Sequence, residues 1–144
     1  MNQFLLFAII SSIVTIVYGL LLAKSILKKS DGNEKMKAIA SAIAEGAKAY
    51  LNRQYKTIGV IAVVLFFILW LGLGFTSAIG FILGAVLSSL AGYVGMNVSV
   101  RANIRTAEAA KNGLGEALSV AFKGGTVTGL LVVGLALLGV AVFF

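Results

Sequence analysis

Four stretches of the chain, residues 4–23, 57–73, 78–98 and 125–144, are apolar over nearly their whole length. A helix needs about 20 such residues to cross the hydrocarbon core of a bilayer, rising about 1.5 Å per residue. In that environment every backbone N–H and C=O has to find its partner within the segment, which leaves helices as the solution for spans of this length. The sequence therefore predicts an all-α transmembrane fold with four membrane-spanning helices. With 60% hydrophobic residues and 12% charged, the 144-residue chain is far from a soluble composition. The first apolar run has no basic segment before it and is followed by Lys24, Lys28 and Lys29, which reads as an uncleaved first span and not as a signal peptide.

The charges are confined to two windows. Residues 24–56 carry eight basic and three acidic side chains, and residues 101–123 carry four and two, which together give the net charge of +7. The start of the chain, the link at about residues 72–77 and the C-terminal end are uncharged. By the positive-inside rule both charged windows face the cytoplasm and both ends lie outside. Positive charge beside apolar spans sets topology, so the lipid bilayer is the expected partner and nucleic acid is not. Within the first window Met36, Ile39, Ile43, Ala47, Tyr50 and Leu51 recur at helical spacing, with Asp31 or Asn33 available to cap the start. Nothing interrupts this pattern before the second span. Asn112-Gly113 is the stop expected for the third helix. The resulting reading is one transmembrane segment, residues 1–144, with helices over about 4–27, 34–73, 78–111 and 115–144.

Gly80, Gly84, Ser88 and Gly92 recur every four residues, continued nearby by Gly95 and Ser99, and Gly125 and Gly129 repeat the spacing. Small residues on one helix face let a second backbone approach closely, so these are read as packing faces in preference to a conduction path. Lys123-Gly124-Gly125-Thr126 stands at the start of the fourth span, where free N–H groups can cradle an anion; the order is not that of a phosphate-binding loop, and a helix start beside a snorkelling lysine is the preferred reading. Asn97-Val98-Ser99 matches a glycosylation sequon, read as chance.

No Asp, Glu, Lys or Arg falls within the four apolar stretches, and the chain has no His and no Cys. Ion transfer across a membrane ordinarily uses an intramembrane ionisable group. Its absence argues against a complete rotary-ring subunit or a complete four-helix multidrug exporter. No catalytic, cofactor-binding or metal-ligating residue is assigned to any position.

Two stretches, residues 32–58 and 84–140, closely resemble the N-terminal part of the membrane-integral, ion-translocating inorganic pyrophosphatases, most specifically in GMNVSVRANIRTAEAA at residues 95–110. The resemblance implies an N-terminal fragment of a homodimeric pump with about sixteen helices per subunit, this segment supplying outer helices. It also implies that the pump hydrolyses cytoplasmic pyrophosphate with Mg2+, with K+ as a further cofactor in some members, and moves protons, in preference to sodium, outward across a prokaryotic cell membrane. None of the Asp- and Lys-rich motifs that hold magnesium pyrophosphate in that family occurs here. Arg101, Arg105 and Glu108 are the matched positions expected to matter, by bracing the cytoplasmic ends of the neighbouring catalytic helices, the alternative being a solvated juxtamembrane patch that only orients the helix. The alternative is a self-contained four-helix structural or assembly protein without catalysis.

Overall fold

The fold, taken from a computed structural model, is described for residues 3–143; Met1, Asn2 and Phe144 lie outside the described residues. Four helices account for nearly all of it: α1 (Gln3–Leu27), α2 (Glu34–Leu73), α3 (Phe75–Ala109) and α4 (Leu114–Phe143), with one 3-10 turn at Ala110–Asn112. All four are long and apolar enough to cross a membrane. Asn33 is the cap that starts α2, its side chain accepting from the Met36 N–H at 3.0 Å, while Asp31 turns to Lys37 instead. The 40 residues of α2 make a rod about 60 Å long, roughly twice the hydrocarbon thickness.

The link between α2 and α3 is shorter than the residue 72–77 connection expected from sequence. A single residue, Gly74, reverses the chain at φ +91°, a conformation that residues with a Cβ rarely adopt. Gly72 stays in α2, and Ser77 joins the first turn of α3, where its hydroxyl donates to the Leu73 carbonyl. Trp70 and Phe75 pack edge to face across this turn, 5.6 Å between ring centres. At the other end of the hairpin Tyr55 and Tyr93 form a second edge pair at 6.0 Å, with the Tyr55 hydroxyl donating to the Ser89 carbonyl. Tyr and Trp favour the two membrane surfaces, and the fifteen positions from Tyr55 to Trp70 amount to about 22 Å of helix between these two aromatic layers.

In space the helices do not follow chain order. α4, last in sequence, packs against both α1 and α3, while α2 touches α3 and, among the described residues, neither α1 nor α4. Buried Ala23, Ile26, Val98, Ala102, Val120, Val127 and Leu131 form the common core of α1, α3 and α4. Small residues set how closely these backbones approach. A methyl group placed on Gly134 would lie 2.7 Å from Ile16 Cγ1 and 3.3 Å from the Ser12 carbonyl oxygen of α1. One placed on Gly95 would lie 2.8 Å from the Thr128 methyl, and one on Gly124 3.1 Å from Ala102 Cβ.

The glycine ladder read from sequence divides between neighbours. Gly80 meets the ring of Phe143 and Gly95 meets Thr128 on α4, but Gly92 faces the Tyr55 hydroxyl on α2, and no heavy atom stands within 4 Å of a Cβ on Gly84. Steps of four drift by about 40° each, so a strict four-residue ladder turns about 120° from Gly80 to Gly92 and leaves one neighbour for another. Gly125 and Gly129 of α4 also have open space beside them. The α4 glycines in the contacts are Gly124, Gly134 and Gly139, the last against Leu87.

Gly134→Leu should force α1 from α4 and lower the stability of the chain to unfolding in detergent micelles by about 1–3 kcal/mol. Gly129→Leu, with open space at its Cβ, should leave the unfolding midpoint of the isolated chain nearly unchanged.

Candidate functional site

Because α3 and α4 stand between α1 and α2, the chain leaving α1 at Leu27 crosses the end of α3 to begin α2 at Glu34. Two side chains one turn apart on α3 meet it there. The Arg105 guanidinium donates through Nη2 to the Leu27 carbonyl at 3.0 Å and through Nε to the Lys29 carbonyl at 3.1 Å. Its third bond, Nη1 to the Arg101 carbonyl at 2.7 Å, fixes the side chain against its own helix. The last carbonyls of an α-helix lack partners within the helix and carry the negative end of its dipole, so a forked cation across them satisfies both requirements.

Glu108 lies beside the same crossing. A methyl on Gly32 would be 2.7 Å from Glu108 Oε2 and 2.6 Å from Met36 Sδ, and Gly32 adopts φ +81°. Glycine is favoured at that position by backbone conformation, and any Cβ there would also displace the ends of the Met36 and Glu108 side chains. The Glu108 Oε2 atom is buried without a hydrogen bond of good geometry, and its charge is met by the ion pair with Lys111. Of the three positions singled out in the sequence, Arg105 therefore braces the end of α1 and the connection to α2, while Glu108 lies beside that connection and pairs with Lys111. Arg101 is exposed and contributes its carbonyl to Arg105.

The remaining carboxylates are dispersed. Asp31 and Glu34 both face Lys37, at 3.7 and 3.3 Å, and Glu116 accepts from Asn112. The hydrogen bond that Lys37 donates to Glu34, and then the charge of Asp31, raise the Lys37 pKa above the ordinary 10.5. A raised lysine pKa stabilises the fold in full below the ordinary value, and that contribution fades as pH rises through the raised one. At neutral pH the pair is intact. Among the described residues no three Asp, Glu, His or Cys side chains come together to hold a metal ion. The residues present do not suit a magnesium centre, which takes several carboxylate or phosphate oxygens around one ion.

Two smaller sequence readings are decided by helix limits. α4 starts at Leu114, so Lys123-Gly124-Gly125-Thr126 lies inside the helix, where the N–H groups are bonded to the preceding turn and none is free for an anion. Asn97 lies within α3 and its amide donates to the Tyr93 carbonyl at 2.8 Å.

Residues 13–144 match the family described as Inorganic H+ pyrophosphatase. The chain belongs to this family. Among similar proteins are a K(+)-insensitive pyrophosphate-energized proton pump of Methanosarcina mazei, 50% identical over 141 residues, and a second proton pump of that kind from Moorella thermoacetica, 47% identical over 133 residues. A protein of Clostridium tetani, provisionally named a K(+)-stimulated pyrophosphate-energized sodium pump, is 42% identical over 130 residues. These alignments cover 96%, 92% and 90% of this chain but 21%, 20% and 19% of the relatives, so it spans about a fifth of their length. The brace at Arg105 lies within the stretch matched to the pyrophosphatase family.

Arg105→Ala should expose the end of α1 and speed hydrogen exchange at the Lys28 and Lys29 amides, which close the last turn onto Lys24 and Ile26. Loss of charged hydrogen bonds of this kind costs about 1.5–3 kcal/mol each where buried and less at this half-exposed position. Arg105→Lys should recover less than half of the protection, because one ammonium does not span two carbonyls as the guanidinium fork does.

Proposed function

We propose that the four helices form the outer, supporting part of a pyrophosphate-energised pump, and that the rest of the pump carries the chemistry. The family match over residues 13–144 is the observation that carries this reading, together with the relatives named as pumps of which the chain spans about a fifth. On this reading the complete protein hydrolyses cytoplasmic pyrophosphate and moves an ion outward, as a homodimer of about sixteen helices per subunit. No residue of this segment touches pyrophosphate or its magnesium. The dispersal of its carboxylates supports that assignment, as does the absence of charged side chains from its apolar stretches.

Protons are the proposed cargo, and potassium is not required. The two proton pumps named K(+)-insensitive are 50% and 47% identical, against 42% for the sodium pump named K(+)-stimulated. The charged ends of all four helices face the cytoplasm of a prokaryotic cell, and the Gly74 hairpin faces out, in accord with the positive-inside rule.

Pyrophosphate hydrolysis with magnesium should be measurable for the complete pump in membrane vesicles and absent for the purified 144-residue segment; hydrolysis by the segment alone would overturn the division of labour. Since the segment has no native cysteine, Ser30→Cys and Thr76→Cys provide single labelling sites at its two ends. An impermeant maleimide applied to intact cells should label Thr76→Cys and spare Ser30→Cys, and the reverse pattern would invert the orientation.

A further inference from the structure

The seam between α2 and α3 is loosely closed, and its openings join at the tyrosine pair. Below Tyr55 and Tyr93, at membrane depth, a cleft of about 350 Å³ is lined by apolar and small residues including Ile58, Gly59, Ala62 and Val86. Above them, on the charged side, a hollow of about 390 Å³ is bounded by Asn52, Lys56 and the same two tyrosines. A further groove of about 330 Å³ continues from Tyr93 past Met96 and Asn97 to Lys48 and Arg101.

The polarity of the seam changes at one level. Lys48, Lys56 and Arg101 line the upper part against a single carboxylate, Glu45, and none of these four charged groups has an ion-pair partner within 4.0 Å among the described residues. Elsewhere at this end Lys37 holds Asp31 and Glu34, Lys111 holds Glu108, and Glu116 accepts from Asn112. An excess of unpaired cations beside interfacial tyrosines, continued by an apolar cleft into the membrane, has the charge and layout of an anionic phospholipid. A free phosphate would use the upper part only. The apolar cleft accounts for the lower part when an acyl chain is attached.

We propose that the α2–α3 seam binds one anionic phospholipid of the adjoining leaflet, its phosphate among Lys48, Lys56 and Arg101 and one acyl chain in the cleft beside Gly59 and Ala62. Within this segment α2 rests on α3, and the lipid fills the openings along that contact. The site requires only that the basic residues stand at a membrane surface, so it does not depend on the coupling ion or on which side of the membrane that surface is.

The test is native mass spectrometry of the complete pump, delipidated in detergent and titrated with phosphatidylglycerol or phosphatidylcholine. One phosphatidylglycerol per protomer should bind with about tenfold preference over phosphatidylcholine, and Lys48→Gln/Lys56→Gln/Arg101→Gln should abolish that preference. Lys123→Gln removes a cation that lines none of these openings and should leave the preference intact. Gly59→Leu places a side chain where nothing stands within 4 Å of the Cβ, and should lower occupancy by blocking the acyl cleft without altering charge. Equal binding of the two lipids, or unchanged binding in both the triple variant and Gly59→Leu, overturns the proposal. Displacement of phosphatidylglycerol by millimolar inorganic phosphate would make this a free-anion site and overturn it as well. Should the triple variant fail to fold, the Gly59→Leu and phosphate arms decide the question. A pump inactive toward pyrophosphate would refute the function proposed above while leaving the lipid count readable.

Discussion

The close approach of α4 to α1 and α3 is the contact on which the rest of the bundle depends. Lipid tails are as apolar as the helices, so burying Leu or Val against another helix brings little of the driving force it brings in water. Attraction has to come from many short contacts, and these require small residues. Gly134 admits Ile16 and the Ser12 backbone, Gly95 admits Thr128, and Gly124 admits Ala102. Thr15 and Thr126 return their hydroxyls to the carbonyls four residues earlier, which lets polar side chains sit in an apolar environment without an unpaired donor.

α3 touches all three other helices and stands between α2 and the rest of the bundle, and this dictates the connections. α1 and α2 are neighbours in sequence but not in space, and the segment joining them crosses the tip of α3. A crossing loop beside a helix end has several backbone groups with no regular partner. Arg105 supplies donors to two of them, while Gly32 gives the bend room beside Glu108 and Met36. The GMNVSVRANIRTAEAA stretch therefore combines two structural tasks: Gly95, Val98 and Ala102 face the core, and Arg105 holds the crossing.

Some of the charged side chains at this end are paired with one another and others are not. Asp31, Glu34, Lys37, Glu108 and Lys111 are engaged with one another and shape the loop, whereas Lys48, Lys56 and Arg101 line the α2–α3 seam without ion-pair partners among the described residues. The chain spans about a fifth of the length of its relatives in the pyrophosphatase family, and its helices are held together by close backbone approach.

The sequence by itself determined the all-α membrane class, the four spans and the collection of every charge at one end. These follow from local quantities: the run of apolar residues a bilayer requires, the alternation of direction between successive spans and the high cost of charge in hydrocarbon. It also identified the family, through residues such as those at 95–110. Tertiary structure alone decided which helices are neighbours. A glycine pattern shows that a face is smooth but not what approaches it, so Gly92 turned to α2, Gly125 and Gly129 remained open, and Gly124, Gly134 and Gly139 made the contacts. The role of Arg105 was out of reach for the same reason, because its partners are the carbonyls of Leu27 and Lys29, more than seventy residues away, and backbone carbonyls leave no mark in a sequence.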